Sequence, residues 1–281
     1  WAERYDGTLD DIFDLQDQIT SKIIGTIEPE LVRAEDKRLQ ASPPDNINAY
    51  DLLLRGVSYM HKVTPEDTKT ALEYFAKAYE LDPNYGRAYA FASWCYRRDA
   101  MQRGNALLSV DDCCKAIELA RQALRCDRND PYVLVYAGCS FYQFDGAIDE
   151  GLSLIDQALS MNPNSHRFWN AKAQGHSYKG ETDAAIEAAQ RAISISPNEP
   201  AIWVAYWALA EAYLQELSYQ EAADFARRAL RRNSNVGPAY FILAAASAHL
   251  GQAAEAKRAL VAGLQISPGL TLTKLPEYYQ V

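Results

Sequence analysis

Residues 163 to 197 read PNSHRFWNAKAQGHSYKGETDAAIEAAQRAISISP. Trp169 opens a run of helical periodicity and Gly180 breaks it. In the run that follows, Ala185, Ala189 and Ala192 recur at spacings of four and three, and Pro197 closes it. Small residues at those spacings let one helix lie close against another, while glycine and proline mark where each must stop. The stretch predicts a helix, a tight turn and a second helix, in a unit of 34 residues from one proline to the next.

The unit recurs. Its closing position can be followed through Pro83, Arg128, Pro163, Pro197, Ser234 and Pro268, at spacings of 45, 35, 34, 37 and 34 residues. Twelve and five residues before each lie Ala71/Ala78, Ala116/Ala123, Gly151/Ala158, Ala185/Ala192, Ala222/Ala229 and Ala256/Gly263. All twelve are Ala or Gly, which ordinary usage of the two types, about 15% together, does not produce by chance. Six units are predicted from Ala49 to Pro268. The first has extra residues near HKVTPED, the second an insertion from about Arg97 to Ser109, and the fifth an irregular entry, PNEPAIW.

A 34-residue unit with this order of aromatic, Gly, Ala and Pro resembles the tetratricopeptide repeat (TPR). The resemblance implies an all-α fold: a right-handed superhelix whose concave face is lined by the first helix of each repeat. It also implies a protein-binding role, exercised by positions 2, 5, 9, 12 and 13 of those helices. Carried onto this chain, these are Arg87, Trp94, Arg97 and Arg98 in repeat two, and Tyr132, Val135, Cys139 and Tyr142 in repeat three. Repeat four gives Arg167, Asn170, Gln174, Ser177 and Tyr178. Repeat five gives Trp207, Glu211 and Gln215, and repeat six Phe241, Ala245 and His249. Each aromatic among them has core packing as its plainer alternative. Arg97 and Arg98, adjacent charges leading into an insertion, are expected outside the core.

Residues 1–48 form an acidic helical segment and linker outside the pattern. Ile12, Leu15, Ile19, Ile23 and Ile27 make one apolar stripe there, suited to capping the array. Ten acids against three bases in residues 1–36 supply most of the net charge of −9. The opening WAERYDGTLDDIFDLQDQIT (Trp1 to Thr20) resembles the TolB/FlgO-like junction of bacterial regulators. In those proteins an adenylate/guanylate cyclase or winged-helix domain precedes TPRs. No such domain lies in this chain, which reads as a fragment, and any catalytic activity is expected upstream of it. The tail, 269–281, is too short for another hairpin.

The rest of the sequence narrows function by exclusion. No basic excess suggests a nucleic-acid partner, no window spans a membrane, and no signal peptide is visible, so a cytoplasmic location is expected. The five cysteines form no CxxC pair or zinc spacing and read as small residues in a reducing compartment. The four histidines fall in different repeats, and there is no GxGxxG, GxxxxGK[ST], HExxH or GxSxG. No cofactor, metal or catalytic residue is expected. The expected function is a non-catalytic scaffold binding a protein or peptide segment, acidic or amphipathic, within a larger bacterial signalling protein; homodimerisation is the second reading.

Overall fold

The stripe of small residues decides where helices touch. The computed structural model describes residues 48–60, 65–103, 109–197 and 199–267. Among them are twelve α-helices in six hairpins, and no strand. The hairpins are α1 (Ala49–Met60) with α2 (Pro65–Leu81), α3 (Gly86–Arg103) with α4 (Val110–Cys126), and α5 (Pro131–Ser140) with α6 (Ile148–Met161). Then come α7 (His166–Lys179) with α8 (Thr182–Ile195), α9 (Trp203–Gln215) with α10 (Tyr219–Arg232), and α11 (Gly237–His249) with α12 (Ala253–Ile266). A π turn, Phe141–Asp145, prolongs α5, and a 3-10 turn, Pro200–Ile202, leads into α9. The N-terminal stripe and the tail fall outside the described residues.

Local chemistry sets the helix ends. Ser109 and Asp112 form a reciprocal capping box at the start of α4: the Ser109 hydroxyl accepts from the Asp112 amide at 3.1 Å, and the Asp112 carboxylate accepts from the Ser109 amide at 3.4 Å. Asp130 caps α5 by accepting from the Tyr132 amide at 2.9 Å, with Pro131 in the first turn, where its missing N–H costs nothing. Gly180 ends α7 at φ 77°, a left-handed conformation that a side chain would strain.

Ala185, Ala189 and Ala192 are wholly buried. Of the twelve small positions only Ala256, on the last helix, is not fully covered. Helices α5 and α6 come backbone to backbone, so that a Cβ on Gly138 would sit 2.5 Å from the Gly151 carbonyl oxygen. Any larger residue there collides with backbone, which cannot move aside.

The first helices α1, α3, α5, α7, α9 and α11 touch one another in succession, whereas the second helices pack chiefly on their neighbours in sequence. The first helices therefore form the inner layer of a superhelix and the second helices its outer layer. The inner layer also curls back on itself, since α11 touches α3. One expectation needs correction. The insertion in repeat two does not begin at Arg97, because α3 runs on to Arg103. The residues from Arg97 to Arg103, RRDAMQR, contain no helix breaker before Gly104.

Candidate functional site

The inner layer brings the expected groove residues together in two very different settings. On the α3 side most are consumed by the fold. Arg97 is wholly buried, the largest such side chain among the described residues. Its guanidinium donates to the Tyr142 hydroxyl at 2.6 Å and to Gln174 Oε1 at 2.5 Å. It lies over the rings of Trp94 and Tyr142, 4.6 and 5.2 Å from their centroids. The expectation that Arg97 stays outside the core is thus wrong. Aromatic faces and amide oxygens take the weakly hydrated, planar guanidinium as a core element. Tyr142 is buried as well, pinned in the π turn that prolongs α5, and its hydroxyl donates to Cys139 Sγ at 3.4 Å.

Arg98, one residue on, points elsewhere and is half-buried, and that burial holds its guanidinium below the ordinary range. Arg87 is held by the Asp130 carboxylate and lies 5.3 Å over Tyr132. Tyr132 in turn meets Phe168 edge-on. Tyr178 tilts against Tyr142 at 5.3 Å. Phe241 belongs to the last hairpin, packed beneath Gly263. His249 is exposed and stacks on Tyr219 at 4.1 Å.

The α7 and α9 side is different. Asn170, Gln174, Ser177 and Trp207 are all more than nine-tenths buried. Yet Asn170 Oδ1, Gln174 Nε2, Ser177 Oγ and Trp207 Nε1 have no hydrogen-bond partner. Buried polar atoms are nearly always satisfied in folded proteins, so this set stands out from the rest of the inner layer. Gln215 Nε2 donates to the Ser177 carbonyl at 3.4 Å and joins the two helices. Glu211 stands one turn beyond Trp207, and burial alone pushes its carboxyl up to about 7. Trp94 reaches across from α3 and packs against the core cluster containing Trp207.

At the start of α7, His166 is buried with Glu199 3.7 Å away, and Arg167 lies 3.6 Å from the same carboxylate. Burial, with the Arg167 charge behind it, pulls the imidazole down to about 3, so it is neutral near pH 7. Sequence reasoning missed this cluster, because its acid comes from the irregular entry to repeat five. It had one visible trace, a lone acid in that entry.

Among the described residues no cluster of His, Cys, Asp and Glu could hold a metal, and no helix is long and apolar enough to cross a membrane. All five cysteines are free, with Cys95 and Cys139 buried.

Comparison with known proteins agrees with this architecture. A family model for the tetratricopeptide repeat matches residues 166–199. "Putative adenylate cyclase 3" of Rhizobium meliloti is 30% identical over 131 residues, 47% of this chain but 22% of that protein, so the chain spans a small part of its relative. Among solved structures, the APC/C hetero-tetramer Cut9-Hcn1 superposes with a TM-score of 0.63 at 19% identity, covering 89% of this chain and 46% of that one. A human IFIT1 dimer with m7Gppp-AAAA gives 0.64 at 18%, over 76% of this chain and 50% of that one. Pseudomonas aeruginosa PilF gives 0.52 at 16%, over 83% and 95%. These likenesses concern the fold. The family match falls on the hairpin of α7 and α8, and the chain resembles tetratricopeptide-repeat proteins in the all-α, six-hairpin fold around it.

Proposed function

We propose that this array is the non-catalytic, protein-binding part of a larger bacterial cytoplasmic signalling protein of the cyclase kind, and that its inner layer takes an extended segment of a partner or of an adjoining domain. The observation that carries the reading is the set of buried, unpaired groups on α7 and α9: Asn170 Oδ1, Gln174 Nε2, Ser177 Oγ and Trp207 Nε1. An extended peptide offers alternating N–H and C=O groups, and amide side chains pair with either. The similarity to a protein named as an adenylate cyclase, and the resemblance of the segment from Trp1 to about Glu35 to a cyclase–TPR junction, support the wider setting.

The test is selection of twelve-residue displayed peptides on the 281-residue chain. Asn170→Leu should weaken the selected peptides by about tenfold or more, the worth of a hydrogen bond lost in a buried site. Glu187→Leu, on the exposed face of α8, should leave them unchanged. The reverse pattern would move binding to the outer layer.

A second reading, self-association, rests on α12. Leu260, Val261 and Leu264 are 44%, 49% and 37% exposed on its outer side. Leu260→Glu with Leu264→Glu should abolish any dimer seen by sedimentation, and a parent that is monomeric at all concentrations would dispose of this reading.

A further inference from the structure

The outer layer gathers positive charge in one place, although the chain as a whole carries a net charge of −9. Residues 225–232 read FARRALRR, with four arginines and no acid. Arg227 is spent on a bridge between helices: it donates to the Glu255 carboxylate of α12 at 3.0 and 2.6 Å, and to Asp224 at 2.7 Å. Arg228, Arg231 and Arg232 are exposed, and their i, i+3, i+4 spacing sets them on one face of α10. Arg228 lies over the Phe225 ring, 4.9 Å from its centroid.

The bridge from Arg227 to Glu255 fixes how α10 and α12 lie side by side. As the second helices of successive hairpins the two run parallel. One turn past the bridge, Arg231 on α10 therefore comes level with Arg258 on α12, which is exposed as well. Bases at a helix C-terminus complement its dipole, which accounts for Arg231 and Arg232. It does not account for Arg228, nor for Arg258 in the middle of α12. Among the described residues none of these four arginines is in an ion pair. Like charges held together without carboxylates of their own repel one another, and an anionic partner relieves that repulsion. Val261, 49% exposed and one turn beyond Arg258, gives the patch an apolar border.

Charge complementarity names the occupant. Residues 10–17 read DDIFDLQD: four acids, no base, and Ile12, Phe13 and Leu15 among them. We propose that this acidic segment docks on the arginine patch of α10 and α12 in the same chain. Its carboxylates meet Arg228, Arg231, Arg232 and Arg258, whose guanidinium forks take carboxylates through paired hydrogen bonds, and its apolar side chains cover Val261. The 31 residues from Gln18 to Asn48 can span at most roughly 100 Å, and the contact of α11 with α3 holds the last hairpin against the second. The segment is therefore within reach, and an intramolecular contact has the advantage of an effective concentration on the order of millimolar. The patch lies on the outer layer, so the contact stands apart from the inner-layer reading above.

The test uses the 281-residue chain. Arg231→Lys with Arg232→Lys keeps the charge and supplies amines, which a water-soluble carbodiimide joins to carboxylates in direct contact. Mass spectrometry of the monomer band should find amide links from positions 231 and 232 to Asp10, Asp11, Asp14 or Asp17, about tenfold fewer in about 0.5 M salt than in about 0.05 M. A second measurement leaves the arginines in place. Cleavage by an Asp-specific protease at those four acids should be about tenfold slower at the lower salt, and Arg228→Glu with Arg231→Glu and Arg232→Glu, all on exposed side chains, should make it fast at both. Links confined to a dimer band would give the patch to a second copy, and a labelled oligonucleotide that binds the parent but not the triple variant would give it to nucleic acid. Either result overturns the contact, as would links to Glu221 or Asp224 alone, or cleavage indifferent to salt and to the three reversals.

Discussion

The two layers of this array obey different rules. A second helix such as α10 buries Ala222, Ala223, Ala226 and Ala229 along one side and leaves Glu221, Arg231 and Arg232 in water. A first helix such as α11 buries Gly237, Pro238, Ala239, Phe241, Ile242, Leu243, Ala246 and Ser247, most of its circumference. The outer helix has one partner face. The inner helix has its own hairpin mate on one side, the preceding and following first helices on two more, and for α3 and α11 each other. A residue's role is therefore plain on the outer layer and contested on the inner one, where a polar side chain can be ligand-facing or buried in the core.

The sharpest break in that comparison is expected at Arg97 and Arg98. Arg97→Glu places an acid among Tyr142, Gln174 and two rings and should destabilise by about 3 to 5 kcal/mol, the scale of an uncompensated buried charge. Arg98→Glu, half-buried, should cost about 1 kcal/mol or less. Denaturant melts decide, and equal midpoints for the two variants would place both arginines in the same environment. Next in size is the outer layer's alanine face. Ala189→Leu should destabilise by about 1 to 3 kcal/mol through overpacking, whereas Glu187→Leu on the same helix should stay within about 0.5 kcal/mol. Superimposable melts for Ala189→Leu would dismantle the packing of α8 on α7.

A subtler probe is pH. Glu211 holds its proton up to about 7 in the folded chain against an ordinary value of 4.5, so the folded state binds more protons across that window. Its contribution is fully present below pH 4.5 and is lost as pH rises through 7, at up to about 1.4 kcal/mol per pH unit. His166, held down to about 3, works in the opposite sense between pH 3 and 6.5. The difference between Glu211→Gln and the parent isolates the acid: the variant should gain relative stability from pH 5 to pH 8. A flat difference would mean Glu211 is solvated like any surface acid. The smallest effect is expected at the bidentate pair of Arg227 with Glu255, at 3.0 and 2.6 Å between α10 and α12. It is partly exposed, and Arg227→Ala should cost about 0.5 to 1 kcal/mol, less at high salt.

The outer layer was legible because its signal is periodic. Ala185, Ala189 and Ala192 announce a close helix contact whatever surrounds them, and Gly180 and Pro197 announce where the hairpin ends. The inner layer was legible only in register. Counting positions reached Asn170, Gln174, Trp207 and Glu211, but it could not tell these from Arg97 and Tyr142, which share the register and lie in the core. That distinction depends on contacts between residues far apart in sequence: Gln174 from repeat four accepting from Arg97 of repeat two, or a π turn at Phe141–Asp145 that turns Tyr142 beneath that arginine. No local pattern encodes such a turn. The continuation of α3 past Arg98 was readable from the lack of a breaker before Gly104.

The contact of α11 with α3 carries a mechanical consequence. A linear stack of hairpins is a spring: each unit feels its neighbours, the ends fray first, and tension on one terminus stretches the coil without resistance from the other. A clasp between the second and sixth units turns the stretch from α3 to α11 into a loop, which parts only when two junctions open together. Pulling on the chain should then show a stiff response up to a single rupture, followed by the soft extension of an ordinary solenoid. On the proposed peptide-binding reading, a segment held within that loop would enter by opening the clasp or by threading along the axis.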